Sequence, residues 1–122
     1  MSLVATILRA EHVAVALTGV IVYLAAGGSY LLIFPALLAP DLSAIGYLAG
    51  PRVGAVAYNA VHNVVLALGA MGLGWWINAT WLILVGAVLL AHVGMDRALG
   101  FGLKLPTSFQ DTHLGRIGRK QD

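Results

Sequence analysis

The run VGAVAYNAVHNVVLALGAMGLGWWINATWLILVGAVLLAHVGM, Val53–Met95, holds no formally charged side chain. A membrane span takes roughly 20 apolar residues, so the run is too long for one span and fits two. Trp75-Trp76-Ile77-Asn78 punctuates it, which predicts one helix over about 52–75 and another over about 80–100. Residues 12–40 also lack formal charge and break at Gly27-Gly28-Ser29, predicting helices over about 8–26 and 30–47. Pro35 and Pro40 lie inside the second helix and should kink it. The chain has 122 residues, 60% of them hydrophobic and 10% charged. Soluble domains carry about 25% charged residues, and a chain this small could not hide so much apolar side chain in water. The expected fold is an all-α membrane protein with four transmembrane helices in an antiparallel bundle over 1–102. A short cytoplasmic C-terminal segment follows over 103–122. With no Cys, disulfides, thiolate metal sites and Cys nucleophiles are excluded.

The placement of the cations sets an expected orientation. Arg9, Arg52, Arg97, Lys104, Arg116, Arg119 and Lys120 all fall towards one face of such a bundle. The positive-inside rule makes that face cytoplasmic and puts both termini there. Trp75, Trp76 and Trp81 then mark the opposite interface. A signal peptide over 1–26 is the competing reading, but a positive start of Arg9 followed by Glu11 speaks against it. The lipid bilayer is the implied partner. The net charge of +2 collects in the tail, which suits anionic lipid and points to no nucleic acid.

Counting about 1.5 Å per residue from the turns brings several polar residues to one depth. Asp41 lies about 18 Å in from the outer turn, and His92 and Asp96 lie about 18 and 24 Å from it. Tyr58, Asn59 and His62 lie about 9 to 15 Å from the inner end, and Glu11 and His12 approach from that end too. Ionisable groups in a span cost about 2.5–3.5 kcal/mol each, so they face inward and find partners. Tyr58 and His62, and His92 and Asp96, are each one helical turn apart on a shared face. Asp41, His62, His92 and Asp96 are therefore the candidate metal ligands, in the cytoplasmic half. The competing reading pairs Glu11, Asp41 and Asp96 with Arg9, Arg52 and Arg97, while Arg97 and Lys104 snorkel to the headgroups. Gly46, Gly50 and Gly54, with Pro51 among them, predict a tight corner between helices two and three. In the tail, Phe109, Leu114 and Ile117 suggest a segment that folds back and brings Asp111 or His113 to the cluster, whereas Lys120 and Asp122 should fray.

A resemblance rests on Pro40-Asp41-Leu42-Ser43 with Gly46-Tyr47, on Tyr58-Asn59 with His62, and on His92, Asp96-Arg97 and Gly100. It continues through Gly102-Leu103-Lys104 and Phe109 to Gly115. In these motifs the chain is similar to a family of small bacterial membrane proteins catalogued as a domain of unknown function. The resemblance implies a four-helix, multi-pass protein of the bacterial inner membrane and brings no activity, substrate or cofactor.

The residues point first to a metal-dependent membrane enzyme acting on a small or lipid-like substrate. A mixed His/carboxylate shell suits zinc, iron or manganese. Glu11, Asp41, Tyr58, Asn59, Arg97, Asp111 and His113 are the candidate catalytic residues around it. Ser43 could supply a nucleophile, although no compact catalytic signature is present. The alternatives are a proton- or ion-coupled transporter or channel, which would be a homo-oligomer, a haem b carrier with His62 and His92 as axial ligands, and an accessory membrane subunit.

Overall fold

The computed structural model describes residues 2–118. The chain starts as α1 (Leu3–Ala25), capped where the Ser2 hydroxyl accepts the Ala5 N–H at 3.1 Å. It turns at Gly27, whose φ of +92° is one that glycine adopts without strain. The Tyr23 hydroxyl ties the turn by donating to the Ser29 carbonyl at 2.9 Å. A six-residue α2 (Ile33–Leu38) runs into a 3-10 segment, Ala39–Ala49. Then come α3 (Pro51–Val61), α4 (Val64–Trp76) and α5 (Thr80–Leu99). A small antiparallel hairpin follows, β1 (Asp111–Thr112) paired with β2 (Gly115–Arg116).

Helix α5 is the centre of the molecule, with α1 and α4 packed on it. Small residues bring these backbones together, the packing expected where lipid supplies no hydrophobic drive between helices. A Cβ built on Gly19 would fall 2.5 Å from Ala91 N, and one on Gly94 would fall 2.5 Å from Ala16 N. Gly86 meets Ala67 and Met71 of α4 in the same way. These registers run in opposite directions, so α5 is antiparallel to both neighbours. Gly69 and Gly72 of α4, in contrast, meet nothing within 4 Å. The 3-10 segment lies on α3, where Gly46 faces Ala57 and Gly54 faces the Tyr47 ring. Gly50, with φ +112°, and Pro51 turn the chain between them, so the expected tight corner is present.

Helices α1 and α5 are each long and apolar enough to cross a membrane. The expected third helix is broken: α3 and α4 pass that test only as a pair bent by 42°. Asn63 makes the break, because its extended backbone (φ −133°, ψ 146°) leaves the helix and its side chain caps α4 through the Leu66 N–H at 2.7 Å. The expected second helix is also different, a short α-helix followed by a 3-10 run in place of one kinked helix. Pro40 has no N–H to give the Ala36 carbonyl, so α-type bonding stops there and the tighter pattern takes over. Pro35 sits in the first turn of α2, where a helix needs no N–H. Asn78 fills a left-handed turn position with φ +55°, a conformation that Asn tolerates. Residues 119–122, with the expected fraying of Lys120 and Asp122, lie outside the described residues.

Candidate metal centre

Four side chains from three elements converge. His92 and Asp96 come from successive turns of α5, with His92 Nε2 3.2 Å from Asp96 Oδ2. His62 comes from the broken end of α3, and its Nε2 stands 3.2 Å from His92 Nε2. Asp41, in the first turn of the 3-10 segment, places Oδ1 3.2 Å from His62 Nε2 and 3.1 Å from His92 Nε2. His62 Nε2 and Asp96 Oδ2 are 3.9 Å apart. One ligand atom from each residue lies within 4.8 Å of all the others.

The tautomers follow from the other ring nitrogens. His62 Nδ1 donates to the Tyr58 carbonyl at 2.8 Å, and His92 Nδ1 donates to the Leu37 carbonyl. A carbonyl only accepts, so each neutral imidazole carries its proton on Nδ1 and turns a bare lone pair inward at Nε2. With both rings neutral, two lone pairs and two carboxylates face one point, an arrangement that a proton or a metal cation relieves. Zn–N bonds of about 2.0–2.1 Å in a tetrahedron put the ligand atoms about 3.3 Å apart, close to most of the observed separations. The second-nitrogen bonds to backbone carbonyls are those that orient ligating histidines. His62 and His92 are 3% and 1% exposed, whereas the Asp41 side chain is 53% exposed and forms the open rim.

A shell of polar contacts holds the four side chains. The Tyr58 ring stacks on His62 with centroids 3.6 Å apart, and its hydroxyl donates to Asp96 Oδ2 at 3.4 Å. Arg97 Nη2 donates to the His62 carbonyl at 3.1 Å, satisfying a group that the helix break frees. The Asn63 amide gives its protons to the Asn59 and Ala60 carbonyls. Of the remaining candidates, Asn59 turns to the tail: its amide donates to the Lys104 carbonyl at 2.8 Å and accepts the Lys104 N–H at 2.7 Å. Glu11 is exposed on α1 and away from the cluster, because its helix faces α5 through His12 and Ala16 instead. Asp111 accepts from Thr107 and pairs with Arg116 at 2.7 Å, and His113 Nδ1 accepts the Leu103 N–H, so both are engaged within the tail. Ser43 donates to the Pro40 carbonyl in its own turn. Arg116–Asp111 is the one Arg- or Lys-carboxylate pair among the described residues, so the simple pairing of Glu11, Asp41 and Asp96 with Arg9, Arg52 and Arg97 does not occur.

Lys104 was expected at the headgroups and is instead buried, with Nζ 3.8 Å from the Phe109 ring centre and 4.8 Å from that of Tyr58. Burial pushes its ammonium below the ordinary lysine range, against the attraction of Asp96 and Asp41. In the tail, hydrogen bonds led by that from Thr107 lower the Asp111 carboxyl, and burial with the Arg97 charge lowers His113. No local signal marked Lys104 for burial, because the contact that docks it joins Asn59 to the tail across 45 residues.

Residues 5–117 match the model of a family described as a domain of unknown function, DUF4260. The chain belongs to the DUF4260 family. Among curated proteins and among solved structures, none matches it. The match covers every element of this DUF4260 chain that contributes to the cluster, including the docked tail.

Proposed function

We propose that this chain is a membrane metalloprotein in which Asp41, His62, His92 and Asp96 hold one divalent cation, and that it acts as an enzyme on a small or lipid-like substrate. The observation that carries this reading is the pair of histidine Nε2 atoms 3.2 Å apart, each within 3.2 Å of a carboxylate oxygen. The N₂O₂ donor set suits zinc, iron or manganese. When bound, such an ion activates water or polarises a carbonyl or phosphoryl oxygen. The chain's own residues do the positioning: Tyr58 orients Asp96, the Leu37 and Tyr58 carbonyls fix the imidazoles, and Arg97 holds the break beneath His62. The half-exposed Asp41 is the side from which a substrate reaches the site. A haem would need the two imidazoles on opposite faces of a macrocycle, and Asp41 and Asp96 occupy that space.

The bilayer setting is supported by an inside-out distribution of side chains. Ala67 and Ala87 are fully buried, while Leu31, Leu48 and Val65 are more than 80% exposed. We read Ile33–Ala49 as a further span, because six α residues and eleven 3-10 residues reach about 30 Å at their respective rises. That gives four spans, with both termini and the centre towards the cytoplasmic face of the bacterial inner membrane. The bent α3–α4 pair favours a second reading, an ion- or proton-coupled transporter, since such breaks line transport sites. Elemental analysis of detergent-purified protein tests the proposal. One zinc, iron or manganese per chain is expected, lost in His62→Ala and in His92→Ala while the helical circular dichroism remains. Metal-free protein whose folding and activity ignore added cations overturns it, and weak metal retention with cation flux into vesicles favours the transporter.

A further inference from the structure

Lys104 ends in a box of rings. It is 4% exposed, its Nζ lies over Tyr58 and Phe109, and Phe109 packs edge-on against Tyr47 with centroids 5.4 Å apart. None of the ammonium's donors meets an acceptor among the described residues, although the Lys104 backbone is clamped on both sides by Asn59. The Tyr47 hydroxyl, against the same Phe109, is buried without a hydrogen-bond partner. A buried donor without an acceptor is costly, and the Tyr47 hydroxyl and the Lys104 ammonium both belong to side chains packed on the Phe109 ring, where a ligand rich in acceptors would serve them.

Charge makes the same demand. A divalent ion between Asp41 and Asp96 would leave the ligand set neutral, with Lys104 and Arg97 as surplus cations beside it. Neither has a carboxylate within ion-pair distance among the described residues. A buried cationic excess is unfavourable in low dielectric until an anion joins it.

We infer that the site takes a substrate with an oxyanion group, a carboxylate or a phosphate, bound between the metal and the Lys104 ammonium with the Tyr47 hydroxyl as a second donor. This rests on the metal centre proposed above and names the substrate class of that site. Anion and metal then bind cooperatively, each raising the affinity of the other by the same factor.

The test uses full-length protein loaded with Co²⁺, whose visible absorption reports its ligands. Inorganic phosphate or acetate should perturb the spectrum saturably and tighten Co²⁺ binding at least tenfold. Lys104→Gln should lose that response while still taking up Co²⁺, Lys104→Arg should keep it, and Tyr47→Phe should weaken it several-fold. The source of the anion is read from two further samples. A response in phosphatidylglycerol nanodiscs that phosphatidylcholine nanodiscs do not give assigns a lipid headgroup, and one given by soluble anions alone assigns a free substrate. Co²⁺ binding that ignores phosphate, acetate and phosphatidylglycerol overturns the inference and leaves the metal centre standing. So does a Lys104→Gln protein that responds as the parent does. If Lys104→Gln fails to fold, an unchanged response in Tyr47→Phe is the overturning result. Protein that takes up no Co²⁺ overturns the metal centre itself.

Discussion

Arg97 illustrates how a residue that touches no ligand atom can govern the centre. Its guanidinium donates to the His62 carbonyl, which the end of α3 leaves without a helical partner. Leaving such a carbonyl unpaired costs about 1–3 kcal/mol. Losing an outer partner of a metal ligand typically weakens metal binding by about 10–100-fold. Arg97→Met should therefore lower the unfolding temperature in detergent and also weaken zinc binding at least tenfold, with Arg97→Lys partly restoring both. A lowered unfolding temperature with unchanged zinc affinity would reduce Arg97 to a structural support. The cluster itself was legible in the sequence, because helical rise is so regular that counting from the turns places Asp41, His62, His92 and Asp96 at one depth. Lys104 was not legible. Its burial depends on the tail folding back through the Asn59 amide, a contact across 45 residues that local pattern does not encode.

At the scale of elements, the glycines of α5 and α4 look alike in sequence and differ in what they face. Gly94 meets the backbone of α1 at Ala16 and His12, and backbone atoms cannot step aside without parting the helices. Gly69 faces open space. Gly94→Ala should destabilise the protein by about 1–3 kcal/mol through overpacking. Gly69→Ala should be neutral or stabilising by up to about 1 kcal/mol, since alanine is the better helix residue. Thermal unfolding of the two variants in one detergent checks the contrast, and equal effects would contradict the packing. Helices α1 and α5 were readable because each carries one long uncharged run, although α1 starts at Leu3, ahead of Arg9 and Glu11 and of the expected start at about 8. The 3-10 segment was not, since in a stretch apolar on every side a repeat of 3 and one of 3.6 leave the same trace. The break before α4 had one local sign, Asn63 ahead of an apolar run, and an N-cap of that kind is easily passed over inside a long hydrophobic window.

For the whole molecule, the antiparallel packing of α1 on α5 places Arg9 beside Gly100, so the start of the first long helix and the end of the last lie together. The proposed four-span reading puts that end in the cytoplasm and Asn78 outside. A cysteine at Asn78 should then react with an impermeant thiol reagent in intact cells, and one at Arg116 should react only after lysis. The opposite labelling would invert the orientation. The four clustered residues also have an order in time. Asp41 and His62 are 21 residues apart, and His92 follows His62 by 30. During synthesis the first two of these residues leave the ribosome well before the second two, so a nascent chain holds only half of the proposed coordination shell until its last helix is made. An ion held there as proposed would load only at the end of biogenesis. Once in place it would knot together segments as far apart as Asp41 and His92, 51 residues along the chain, the service that a crosslink performs in proteins that have cysteine to spare.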